Sequence, residues 1–187
     1  MVHRKHWIAA MIVAAAGASA AQADTVIATF NGVGPGEGVN YSLNFGGSFT
    51  GTSAGRFNWT RTGGTAAEPT GNYVAFCIEL QQNVSNGGNY TYDVTAVALA
   101  PVPASPFAPM GAARADALAR LWNAYYTNSG IDNTNAAAFQ LCVWEIVFND
   151  TTSFDLGTGQ FQATGNATTI ALANAWLVTA MDSNAPM

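Results

Sequence analysis

The stretch AAAFQLCVWEIVFND, residues 136–150, decides how this chain is built. Its length and apolar density predict a helix, begun by Thr134 or Asn135 as N-cap. At 100° per residue, Cys142, Glu145 and Asn149 fall together on one side, and Glu145 is expected at the solvated surface. Gln140 points the opposite way, among Ala136, Val143, Trp144 and Val147. One long polar side chain is therefore aimed at whatever the helix packs against. A buried amide without partners costs about 1–3 kcal/mol, so the opposing surface must receive it.

Outward from this helix the texture of the chain changes twice. From Asp24 to Ala98 it is strand-like, with runs of Val, Ile, Thr, Tyr and Phe broken by Gly, Asn and Ser. Candidate strands are TVIATF (25–30), VNYSLNF (39–45), GRFNWTR (55–61), NYVAFCIELQ (72–81) and YTYDVTAVA (90–98). The proline-rich APVPASPFAP, residues 100–109, is expected to be an extended connector. Beyond it, GAARADALARLWNAYYT (111–127) carries Leu118, Leu121, Trp122 and Tyr125 at helical spacing. A third helix is expected near Ala167–Met181, after a polar Gly/Thr segment. The expected class is α+β: a β-rich sandwich or barrel-like core over 24–99, a connector over 100–110 and a lobe of about three helices over 111–187. Trp59, Trp122 and Trp176 read as core or lobe-packing residues.

The first residues, MVHRKHWIAAMIVAAAGASAAQADT, follow the pattern of a secretory signal peptide. A basic start at Arg4 and Lys5 precedes an apolar run, and Ala21-Gln22-Ala23 is a small-x-small cleavage site. The run is too short and wrongly flanked for a membrane span. Cleavage after Ala23 would leave 187 − 23 = 164 residues, enough for one domain with a real core, secreted or at the cell surface.

Loss of that leader removes both histidines (His3, His6) and the only lysine, Lys5. What remains has four arginines against eleven acidic residues, a net charge of 4 − 11 = −7. No basic surface for nucleic acid or anionic lipid exists. Without histidine there is no Ser-His-Asp or Cys-His catalytic group and no His-ligated zinc. Staples joining Lys to Asn or Asp are excluded as well. No metal or other cofactor is implied. Two cysteines remain, Cys77 and Cys142, and in an exported chain a disulfide is the ordinary expectation for such a pair.

Alternation along NYVAFCIELQQ puts Val74, Phe76, Ile78 and Leu80 on one face of the strand, and Ala75, Cys77, Glu79 and Gln81 on the other. Cys77 thus shares its face with a carboxylate and an amide. If the Gln140 face of the helix covers it, a thiol meets a carboxamide in a dry pocket. The sulfur could then attack the amide carbon and expel ammonia, leaving an internal Cys–Gln thioester. Glu79, two residues away, is a possible base or orienting group. Phe76, Phe139 and Trp144 would shield the bond from water. Simpler roles stand beside these: Gln140 satisfied by backbone groups, Trp144 as packing, Cys77 tied to Cys142. The last conflicts with the first idea, because Gln140 and Cys142 are two apart on a helix and point about 160–200° away from each other.

Phe76-Cys77-Ile78 and Phe139-Gln140-Leu141-Cys142-Val143-Trp144 resemble the two hallmarks of bacterial surface thioester domains. These are an aromatic-Cys pair on a strand and a later apolar-Gln-x-x-apolar-Trp motif on a helix. FCIEL, YTYDVTAVALAPVP leading into RADALARLWNAYY, AAAFQLCVWEIVFND and ANAWL look most like exported Gram-negative proteins carrying this domain ahead of a PEP-CTERM sorting tail. The likeness covers roughly Tyr73 to Leu177 and implies one thioester-like domain over 24–187. It further implies adhesion by covalent capture of protein amines or polysaccharide hydroxyls on a surface or extracellular matrix, in a single reaction rather than enzymatic turnover. The absence of lysine from the mature chain suits that chemistry. The chain departs from the family in two ways. Phe139 stands where Gram-positive members often have Thr, and VTAMDSNAPM follows Leu177 in place of a sorting tail, as expected of a truncated or released product. A different class of function also fits the composition: a non-covalent matrix or exopolysaccharide-binding module using exposed Tyr and Trp rings of the β half. A hydrolase built on carboxylates alone, such as Glu79 with Glu145, has no motif behind it.

Overall fold

The computed structural model describes residues 23–102, 109–149 and 153–187. The leader therefore lies outside the described residues, as does the middle of the proline-rich segment. The β half is one five-stranded antiparallel sheet rather than two facing sheets. Its strands are β1 (Thr25–Ser42), β2 (Thr50–Gly63), β3 (Gly71–Ala75), β4 (Asn89–Asp93) and β5 (Gln162–Thr164). The order is β3-β2-β1-β4, with β5 on the far end of β1. The helices are α1 (Gly111–Tyr125), α2 (Asn133–Phe148) and α3 (Ala167–Met181). The class is α+β with three helices, and β5 returns to the sheet from within the polar Gly/Thr segment between α2 and α3, where no strand was expected.

Two expected strands, 25–30 and 39–45, are one long strand. β1 runs through GVGPG with register shifts after Phe30 and Val33, so the glycines bend the strand without ending it. At the bend the chains nearly touch. A Cβ on Gly36 would lie 2.5 Å from Ala54 O, and one on Gly55 would lie 2.4 Å from Pro35 O, so only glycine fits either place. The bend divides the sheet between two cores. Around Trp59, a smaller core gathers Val26, Ala28, Phe30 and Tyr92, closed by a loop that wraps the buried Arg61. The larger core holds Val39, Ala54 and Ile78 against the helices.

α2 is central. Every residue from Ala136 to Phe148 is buried, so no face of it meets solvent. Its N-cap is Asp132, two residues earlier than Thr134: its backbone is extended and its carboxylate accepts from Asn135 N at 2.8 Å. Thr134 turns instead to Glu37 on β1, donating at 2.9 Å, while Thr169 of α3 donates to the other Glu37 oxygen at 2.7 Å. One carboxylate so ties the starts of two helices to the sheet, where the helix dipoles favour it. α3 begins with Asn166 as cap and lies on α2 and α1, with Trp176 stacked on Tyr125.

The proline-rich segment does not span a distance. Pro101 and Pro109 pair across it and Met110 N donates to Ala100 O at 2.7 Å, so its ends meet before α1 starts. Among the described residues no helix is long and apolar enough to cross a membrane.

Candidate functional site

β3 ends at Ala75, six residues short of the expected strand end at Gln81. The next backbone groups leave the ladder because a helix side chain takes them. Gln140, at the middle of α2 and 0 % exposed, accepts from Cys77 N through Oε1 at 2.8 Å. Its Nε2 donates to Cys77 O at 2.7 Å. The carboxamide stands in for a neighbouring strand and clamps flat against both peptide groups of the one residue that carries the sulfur. This answers the demand for partners made by a buried glutamine. It also puts the amide oxygen on a backbone N–H that could hold an oxyanion.

Around the sulfur, the Cys77 thiol donates to Glu79 O at 2.7 Å, and Glu79 N approaches the sulfur at 3.4 Å. Burial pushes the thiol up to about 11; the Glu79 charge adds to that, while the Glu79 backbone contact and the nearby Trp144 indole act the other way. The Trp144 N–H is itself buried with no hydrogen-bond partner. A donor left over beside a sulfur is the feature sequence reasoning missed; the Gln-x-x-x-Trp spacing put the ring on the right face but gave no sign that its N–H would be spare.

Glu79 is half-buried. Its carboxyl is raised above the ordinary range by desolvation, against the Gln81 and Leu80 backbone N–H groups. It accepts from Gln81 N at 2.7 Å, so the thiol proton meets Glu79 through the backbone carbonyl and not through the carboxylate. The neighbours of the pair form a continuous aromatic cluster. Phe76 lies 4.4 Å from Phe139 between ring centroids, and both meet Trp122 and Tyr126, which stack on each other at 4.2 Å. Trp122 and Tyr126 were not expected here; they come from the end of α1.

Cys142 is a buried thiol donating to Ala173 O of α3 at 3.2 Å, and neither it nor Cys77 is in a disulfide. The expectation of a surface Glu145 is corrected: it is fully buried. Its Oε1 accepts from Asn149 Nδ2 at 2.6 Å and from Asp155 N at 2.9 Å. Burial pushes its pKa to about 7. The 153–161 loop and α3 cover that side of α2, so the polar stripe binds protein backbone in place of water. Asn149 carries the link onward to Phe161, accepting from its N–H at 2.9 Å.

Of the rings of the β half, Trp59 and Tyr92 are buried, Tyr41, Tyr73 and Tyr90 are half-buried, and Phe45 and Phe49 are exposed. The opposite face of the sheet has a shallow groove of about 210 Å³ lined by Asn31, Asn58, Asn72 and Val74 with Trp59 and Tyr73. Among the described residues no cluster of three or more His, Cys, Asp or Glu could hold a metal. No family model, curated protein or solved structure matches the chain.

Proposed function

We propose that Cys77 and Gln140 form an internal thioester through which this protein, exported to the cell surface or extracellular space, captures nucleophiles covalently. The observation that carries this is the two-point bond of the Gln140 carboxamide to Cys77 N and O in a buried site. Cys77 Sγ adds to the Gln140 amide carbon, the S–C bond forms, the C–N bond breaks, and the thiol proton leaves with the amine as ammonia. The Cys77 N–H holds the oxygen while it is negative, and the Trp144 N–H is available to the sulfur. An amine on a target then attacks the same carbon, becomes joined to Gln140 as an amide, and returns the proton to Cys77. Each molecule reacts once, so this is capture and not turnover.

The environment suits a bond that must wait. A thiol whose pKa is raised to about 11 is a poor leaving group, and Phe76, Phe139 and Trp144 keep water away. Incubation with methylamine tests the proposal. It should open the thioester, leaving an N-methylamide on Gln140, located by peptide sequencing, and free one thiol. The Cys77→Ala protein should show neither change. Modification of Gln140 in that variant sinks the proposal.

A second reading has the neutral Asn31, Asn58 and Asn72 groove in its favour, as a non-covalent site for a hydrated polysaccharide. It requires both thiols to be free. Two thiols per chain, titrated in unreduced and freshly unfolded protein under acid quench, would support this reading, and one would support the thioester.

A further inference from the structure

Four arginines lie among the described residues, and three of them donate to backbone carbonyls. Arg61 donates to the carbonyls of Gly63, Ala66 and Glu68, Arg114 to Asn149 O and Arg120 to Ala180 O. Arg56 differs. Its Nε is buried with no partner, its Nη2 makes one long contact to the Tyr126 hydroxyl at 3.4 Å, and its guanidinium carbon sits 5.3 Å from the Tyr126 ring centre. Among the described residues it has no carboxylate partner. Glu37, which pairs across the strands with Ala54 two residues away, is taken up by Thr134 and Thr169.

The position of Arg56 follows from register. Phe57 pairs with Ala75, the last residue of β3, so Arg56 stands one residue past the paired stretch, at the end where the chain goes on to Phe76 and Cys77. It also shares Tyr126 with the aromatic cluster whose members Phe76 and Phe139 adjoin the reactive pair. Room is left for it by Gly130, where an added Cβ would lie 2.3 Å from Nη1. On the Nε–Nη2 edge, one weak neutral bond stands where an oxyanion would accept two charge-assisted ones.

Resting on the thioester proposed above, we infer that Arg56 is an anion-recognition subsite, so that the nucleophiles captured at Gln140 are those with a carboxylate, sulfonate or phosphate group beside the amine. A net charge of −7 on the mature chain disfavours anions elsewhere on its surface, which leaves this guanidinium to supply the selectivity. Arg56 touches the target and takes no part in bond making.

The test compares adduct formation by intact mass with β-alanine, taurine and O-phosphoethanolamine against neutral ethanolamine at low salt. The three arms separate the possible anionic groups. The wild type should favour at least one anionic amine by about tenfold, and Arg56→Gln should bring that ratio close to one. Equal ratios in the two proteins overturn the inference. If Arg56→Gln does not fold, Gly130→Ala, which displaces the guanidinium and keeps the charge, should lower the ratio in the same way. Inorganic phosphate should also slow the anionic amines, and not ethanolamine, in the wild type; no such competition counts against the subsite. Should no amine react at all, the thioester fails but the subsite is still judged. Phosphate or sulfate must then raise the wild-type Tm and not that of Arg56→Gln, and an unmoved wild-type Tm rejects it.

Discussion

Gln140 and Cys142, two residues apart on α2, look in opposite directions: the carboxamide bonds Cys77 beside the sheet, and the thiol bonds Ala173 O on α3. α2 therefore separates the two sulfurs, and no disulfide forms between them. Non-reducing peptide maps of the protein should contain no Cys77–Cys142 cross-link. Cys142→Ala should leave methylamine capture intact and cost no more than about 1–2 kcal/mol in denaturant unfolding, the loss of a small buried group. A cross-linked peptide, or capture abolished with the fold intact, would contradict this.

Removal of the amide exposes the chemistry of the thiol. In a Gln140→Ala protein Cys77 cannot acylate, and alkylation reports its thiolate. With a pKa pushed to about 11, labelling should be slow at neutral pH and still rising where an ordinary thiol, near 9, has levelled off. A plateau near the ordinary value would mean that burial does not govern this sulfur.

Trp144→Phe separates packing from chemistry. Trp144 is 1 % exposed, so truncation of its ring loses contact; but a buried N–H without a partner disappears with it. The two effects oppose each other, and the stability loss should stay within about 1.5 kcal/mol. Thioester formation should slow by about tenfold or more, the scale of one donor to a developing charge. Unchanged formation kinetics would make Trp144 packing alone.

Glu145 predicts a pH dependence of stability. Its pKa is raised from 4.5 to about 7 in the folded chain, so between those values the folded state holds the proton better than the unfolded state does. Stability from this group must fall as pH rises across that window and level off above it. Glu145→Gln keeps an acceptor for Asn149 and Asp155 and cannot ionise. The difference in unfolding free energy between the two proteins should shift in the variant's favour by about 1–3 kcal/mol from pH 4.5 to pH 7. A difference that stays constant with pH would show that Glu145 does not titrate there.

The parts of the fold legible in the sequence were those fixed by local periodicity. α3 has the expected bounds, α1 stops two residues early, and Gln140 is aimed at the sheet as its angular position required. Gln140 does meet Cys77 as its angular position suggested, but it bonds the backbone N–H and C=O beyond the end of β3 and not the strand face on which alternation placed the sulfur. What could not be read was longer-range. Alternation continues past Ala75, yet the strand stops there, since Gln140 takes the next ladder bonds. A polar stripe of Cys, Glu and Asn looks the same whether water or the 153–161 loop lies against it. Nor does any pattern tell that Arg56, and not another arginine, stands beside the end of β3, because that depends on how β2 and β3 are aligned.

The most direct check is the intact mass of the protein purified without reductant or added amines and weighed under denaturing conditions. The account predicts a chain lighter than its sequence by one ammonia, with the full mass restored in Cys77→Ala and in Gln140→Ala, each after correction for its substitution. A wild-type protein of full sequence mass, or a Cys77→Ala protein with the same deficit, would contradict it.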